Sequence, residues 1–155
     1  MTTAEMVGLI LDVAEQALIA AGRPVGRRTI VAGVAPWDEC CEGALWAGVS
    51  RRYRSVAFPI EDATYRPCDA APYVNEIVVG LLRCVPTLGA TGQPPAEEEI
   101  TEASSVFYDD ADVVWAALAA WVCDAPTEAM VLGQSYVGAE GGCIGVETRL
   151  VVAEV

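Results

Sequence analysis

The sequence predicts an α+β fold in which two amphipathic helices pack on a mainly antiparallel sheet, in the order α-β-β-β-α-β-β. Three observations predict it. Two long segments repeat apolar residues every three or four positions, several short runs alternate or are β-branched, and no βαβ alternation or glycine fingerprint follows a strand. The 155 residues, 54% of them hydrophobic, suffice for one domain over residues 1–155.

The first helix spans residues 3–21. Thr2 and Glu5 have the spacing of a capping box. Val7, Ile10, Leu11, Ala14, Ala17, Leu18 and Ala21 form the apolar stripe, and Gly22 with Pro24 ends it. A β-branched run at 29–34 reads as a strand broken by residues 35–38. Residues 41–53 read as a second strand, with Leu45, Ala47 and Val49 on one face and Trp46, Gly48 and Ser50 on the other. Residues 55–72 hold Pro59, Pro67 and Pro72 without a period and read as a long loop, a length that usually carries function.

Residues 73–85 form the strongest strand, apolar on both faces from Ile77 to Leu82 and therefore central. Residues 87–95 are a linker. Pro94 and Pro95 suit the start of a helix, and Glu97, Glu98 and Glu99 suit its positive end. That helix runs over 96–122, with Ile100, Ala103, Phe107, Ala111, Val114, Leu118 and Trp121 as its stripe. Strands at 129–134 and 144–152 follow, joined by a turn region at 136–142.

The charge balance narrows function. Nine basic residues, all Arg, face 22 acidic ones, for a net charge of −13. With no His and no Lys, His-based triads, His-ligated metals and P-loop chemistry are excluded. An acidic chain does not hold nucleic acid on a general basic surface. No enzyme and no cofactor are expected. The apolar stretch at 6–21 carries Asp12, Glu15 and Gln16 and is too short and polar for a membrane span, and no basic region marks a signal peptide. Synthesis and folding in a cytoplasm are expected.

The six cysteines, Cys40, Cys41, Cys68, Cys84, Cys123 and Cys143, leave three readings open: reduced packing residues, one or more disulfides, or a metal site. Adjacent cysteines do not easily serve one tetrahedral ion. A disulfide would be expected between Cys68 and whichever of Cys40 or Cys41 faces it, with Cys41 the first choice. The acids at 97–102 and 109–112 point in different directions on a helix and read as a solvated face. Trp115 and Trp121 read as packing on the sheet or lying at a subunit boundary, whereas Trp37 lies in a loop and is the better interface candidate. Arg51, Arg52 and Arg54 cluster at a strand end and suit acids of a neighbouring subunit.

Several phrases together resemble neck proteins of long-tailed phages of actinobacteria. They are Trp37-Asp38-Glu39-Cys40-Cys41-Glu42-Gly43-Ala44-Leu45, Arg66-Pro67-Cys68, and the strand from Glu76 through Arg83-Cys84-Val85-Pro86-Thr87. Pro94-Pro95 before a helix holding Ala116-Ala117-Leu118-Ala119-Ala120-Trp121, and Gly141-Gly142 before the last strand, complete the set. The resemblance implies a tail terminator, with a stopper or other head-to-tail connector as the alternative. Such a protein forms a ring, usually of six copies, that caps the tail tube. It meets tube protein on one side and a head-side stopper on the other. It would be made in the host cytoplasm, reside in the virion, contact no membrane and meet DNA only as it passes through the lumen.

On this reading Trp37, Arg51, Arg52, Arg54, Phe58, Tyr65, Arg66 and Tyr136 are interface candidates. Glu98, Glu102, Asp109 and Asp110 are candidates for an acidic lumen that repels phosphate. The segments 55–72, 87–94 and 136–143 would make most contacts between subunits or rings, so deleting 55–72 should abolish ring assembly. A DNA-mimicking inhibitor is a further alternative, weakened by acids that gather at helix ends and turns.

Overall fold

The computed structural model describes all residues except 34, 36, 37, 65–67, 69, 70 and 155, and eight elements succeed one another among the described residues. They are α1 (Thr3–Ala20), β1 (Arg27–Ile30), a single 3-10 turn (Cys40–Glu42), β2 (Ala44–Arg54), β3 (Tyr73–Cys84), α2 (Glu97–Asp124), β4 (Ala129–Glu140) and β5 (Cys143–Ala153). The strands form one sheet in the order β1-β2-β3-β5-β4. β1 runs parallel to β2, and the other three pairings are antiparallel. The fold is thus α+β with a mixed sheet.

The helices start for different reasons. At α1 the Thr2 hydroxyl accepts from the Glu5 amide, while the Glu5 carboxylate accepts from the Thr2 amide. That reciprocal cap satisfies donors the helix cannot use itself. α2 has no side-chain cap, but Glu97, Glu98 and Glu99 occupy its first turn, where the helix dipole favours negative charge. α1 closes where Gly22, at φ 72°, turns the chain and Arg23 N–H donates to the Leu18 carbonyl.

Both helices cover the same face of the sheet. Ile10, Leu11, Ala14 and Leu18 of α1 meet Phe107, Ala111, Val114 and Leu118 of α2 over Leu45, Ala47, Ile77, Val79, Leu81, Val146 and Leu150. Each of the large side chains contributes about 1.5–3 kcal/mol by leaving water. On the opposite face Trp46 lies across Gly80, so close that a Cβ there would sit 2.1 Å from the indole. Val78, Ala35 and Val31 pack around that Trp.

Several sequence expectations are corrected. The first strand starts earlier, at Arg27, and ends at Ile30, sharing only Thr29 and Ile30 with the expected 29–34 run. β2 starts at Ala44 because the cysteines ahead of it form the 3-10 turn, closed by Gly43 N–H donating to the Cys40 carbonyl with Gly43 at φ 81°. The turn at 136–142 shrinks to Gly141 and Gly142, both at positive φ, so β4 runs on to Glu140 in a two-residue hairpin. Ile100 is 46% exposed, because the first turns of α2 overhang the core. Among the described residues, no helix is long and apolar enough to cross a membrane.

Candidate functional site

The antiparallel pairing of β2 and β3 sets which loops meet. It places the start of β2, with the 3-10 turn, beside the end of β3, and the end of β2 beside the start of β3. Cys84 at the end of β3 is the cross-strand partner of Cys143 at the start of β5. Four cysteines therefore gather at one end of the sheet. Cys40 is bonded to Cys143 with Cα atoms 6.0 Å apart, and Cys41 to Cys84 with Cα atoms 4.6 Å apart. Cys68 and Cys123 are free and exposed.

The expected Cys41–Cys68 pairing is thereby corrected. Cys68 belongs to the 55–72 connection that leaves the other end of β2, and it is free and exposed, while Cys41 is bonded to Cys84. The pairing follows from strand register, which the spacing of cysteines does not reveal.

Asp110 is the second correction. Its side chain is wholly buried and lines no channel. Its Oδ2 accepts from Arg83 Nε at 2.9 Å and lies 3.1 Å from Arg23 Nη2. Arg83 also donates to the carbonyls of Arg23 and Pro24 at 2.7 and 3.0 Å, and Arg23 donates to the Val106 carbonyl. The cluster fastens β3, α2 and the connection after α1 to one another. The signal that could have found it is Arg83 directly after the apolar run Ile77 to Leu82, since a charge there needs a buried partner.

The remaining lumen candidates behave differently. Glu98, Glu102 and Asp109 are exposed, and with Ser105 and Asp112 they recur every three or four residues. That spacing puts them on one stripe of α2, turned away from the core.

Arg51, Arg52 and Arg54 are each engaged with partners inside the chain. Arg51 reaches Glu61 at 2.6 Å and Glu76 at 3.8 Å and covers the Tyr53 ring. Arg52 pairs with Glu154, and Arg54 donates to the Tyr73 hydroxyl at 2.8 Å and to the Ala71 carbonyl. Both arginines stack on the Tyr73 ring. Burial raises the Glu154 pKa, but hydrogen bonds from Asn75 and Arg52 outweigh it and hold the carboxyl below its ordinary value. Phe58 is partly buried against Tyr53, Val74, Val151 and Ala153. Trp37, Tyr65 and Arg66 lie outside the described residues.

Tyr136 belongs to a different surface. It is 50% exposed at the β4 margin and meets Phe107 and Tyr108 edge-on, with centroids at 6.3 and 5.2 Å. Burial of its hydroxyl, then the charge of Asp112, raise its pKa. Ser104, Phe107, Tyr108, Tyr136, Val137 and Ile144 enclose a shallow groove there. Leu132 and Trp115 are exposed along the same margin.

The opposite margin also exposes apolar side chains. β1 is the other edge strand, and α1 lies along it, tied by Arg28 to Asp12 and Glu15. Leu9 and Ile19 of α1 and Ile30 of β1 stand out to solvent. The helical positions of Leu9 and Ile19 fall on the same side as Asp12. The two margins are therefore unlike: an aromatic groove at one, exposed aliphatic side chains at the other. Compared with known proteins, the chain matches no family model and no curated sequence.

Proposed function

We propose that this chain is a structural protein of a long-tailed phage neck, a tail terminator whose copies join head to tail into a ring on the end of the tail tube. The observation that carries the reading is the pair of unlike apolar margins on opposite edges of one sheet. A ring of identical subunits needs two different, mutually fitting patches on each copy. The exposed Leu9, Ile19 and Ile30 of one subunit would meet the Tyr108, Tyr136 and Ile144 groove of the next, apolar side chains against an apolar and aromatic surface. The acidic stripe of Glu98, Glu102, Asp109 and Asp112 faces the lumen, where negative charge keeps passing DNA from adhering. The role is assembly, not catalysis, in keeping with a chain that has no His and no Lys.

The experiment uses purified tail tubes, with electron microscopy of tube ends. The wild-type chain should cap one end of each tube and stop its growth. Ile30→Asp and Tyr136→Arg, each on one margin, should both lose capping while remaining folded by circular dichroism. Binding to a portal-side ring in place of tubes would move the chain to a stopper role. Capping by both variants would refute the edge-to-edge ring.

A further inference from the structure

Four cysteine sulfurs converge from three elements at the hairpin end of the sheet. The Sγ atoms of Cys40, Cys41 and Cys84 all lie within 4.8 Å of one another, whereas Cys143 stands outside that trio and joins it through its bond to Cys40, so its side chain must swing inward to complete a site of four. Cys40 and Cys84 belong to different disulfides, yet their Sγ atoms are 3.9 Å apart. Two thiolates on one tetrahedral zinc, each at about 2.3 Å, stand roughly 3.8 Å from each other. The spacing between the bridges is thus already the spacing between two ligands of one ion.

We propose that in the reduced chain Cys40, Cys41, Cys84 and Cys143 together hold one thiophilic divalent cation, Zn2+, and that the two disulfides are the oxidised form of the same site. The backbone supports this independently of the sulfurs. Cys84 and Cys143 are paired across two strands, and Val85 N–H donates to the Gly142 carbonyl to fix the hairpin end. Adjacent cysteines on a strand would point to opposite faces. The 3-10 turn instead brings both Cys40 and Cys41 to Cys84.

The surroundings suit the charge. A zinc tetrathiolate carries two negative charges. Arg23 and Arg83 line the same cleft as Cys41 and Cys84, and Asp110 cancels only one of them. Cys41 is exposed on this cleft and gives the ion a way in, while Cys40 and Cys143 are buried. Glu39 and Glu42 flank the turn and attract cations to it. A chain folded in a reducing cytoplasm meets zinc before it meets an oxidant.

The conversion balances. Each disulfide takes two electrons and two protons to give two thiols. With a trialkylphosphine, phosphorus supplies the electrons and becomes the oxide, while water supplies its oxygen and the two protons. The ion then replaces four thiol protons, so binding weakens as pH falls.

The test is a Co2+ titration of the full chain, once oxidised and once reduced by a trialkylphosphine without oxygen. The reduced chain should bind one Co2+, with the intense thiolate-to-cobalt absorption and tetrahedral visible bands, and release it to one equivalent of Zn2+. The oxidised chain should bind none. Cys84→Ser and Cys143→Ser should each weaken binding at least a hundredfold, whereas Cys68→Ser and Cys123→Ser should leave it unchanged. A reduced wild-type chain that binds no stoichiometric Co2+ overturns the proposal whatever the variants do. So does equal binding by the oxidised chain, or binding that survives Cys84→Ser with Cys143→Ser.

Discussion

Asp110 concentrates more of the fold in one side chain than any other acid described. Breaking a buried ion pair by removing one partner costs about 3–5 kcal/mol, because the other charge stays behind. Asp110→Asn should therefore lower stability by about 3 kcal/mol in urea unfolding, whereas Glu98→Gln, on the exposed stripe, should change it by less than about 0.5 kcal/mol. Equal effects would show that Asp110 is not the anchor described. Glu154 gives a pH prediction. Its folded pKa lies below the ordinary 4.5, so its contribution is present above that value and is lost as pH falls through the folded one. Glu154→Gln should flatten the acid side of the stability profile below about pH 4.5, measured by thermal melts across pH. An unchanged profile would mean that Arg52 and Asn75 hold it too weakly to matter.

At the scale of elements, the second face of the sheet depends on Trp46 lying over Gly80. Gly80→Ala forces the indole to move and should cost about 1–3 kcal/mol, as overpacking usually does. Adding Trp46→Leu should return part of that loss, a coupling that a double-mutant cycle reads directly. The cap of α1 is worth about 1 kcal/mol, so Thr2→Ala should lower the melting temperature modestly. These elements also show what a sequence reveals. α1 was legible because its stripe, cap and stop agree. β3 was legible because its centre, Ile77 to Leu82, is an unbroken apolar run of the kind a central strand carries. β4 was misjudged beyond residue 134 because Tyr136 to Glu140 carry turn-forming composition, yet pairing with β5 holds them extended. The cysteine pairing and the Asp110 cluster were illegible because both depend on register between strands and helices far apart in sequence.

Over the whole molecule, the sheet is finished on its helical face and unfinished at its margins. A monomer that stayed alone would gain nothing from exposing Leu9, Ile19 and Ile30 on one edge and Leu132 and Tyr136 on the other. In the proposed ring, closure would hide both at once and leave the acidic stripe of α2 free. Of this, the acidity was plain from composition, while the two margins emerge only when the strand order β1-β2-β3-β5-β4 sets β1 and β4 at opposite edges. The most direct measurement is light scattering after size exclusion, with the chain alone and then with tail tubes, and microscopy of the mixture. The account predicts a closed ring, formed alone or on one end of the tube. A chain that remains monomeric and leaves both tube ends bare would contradict it.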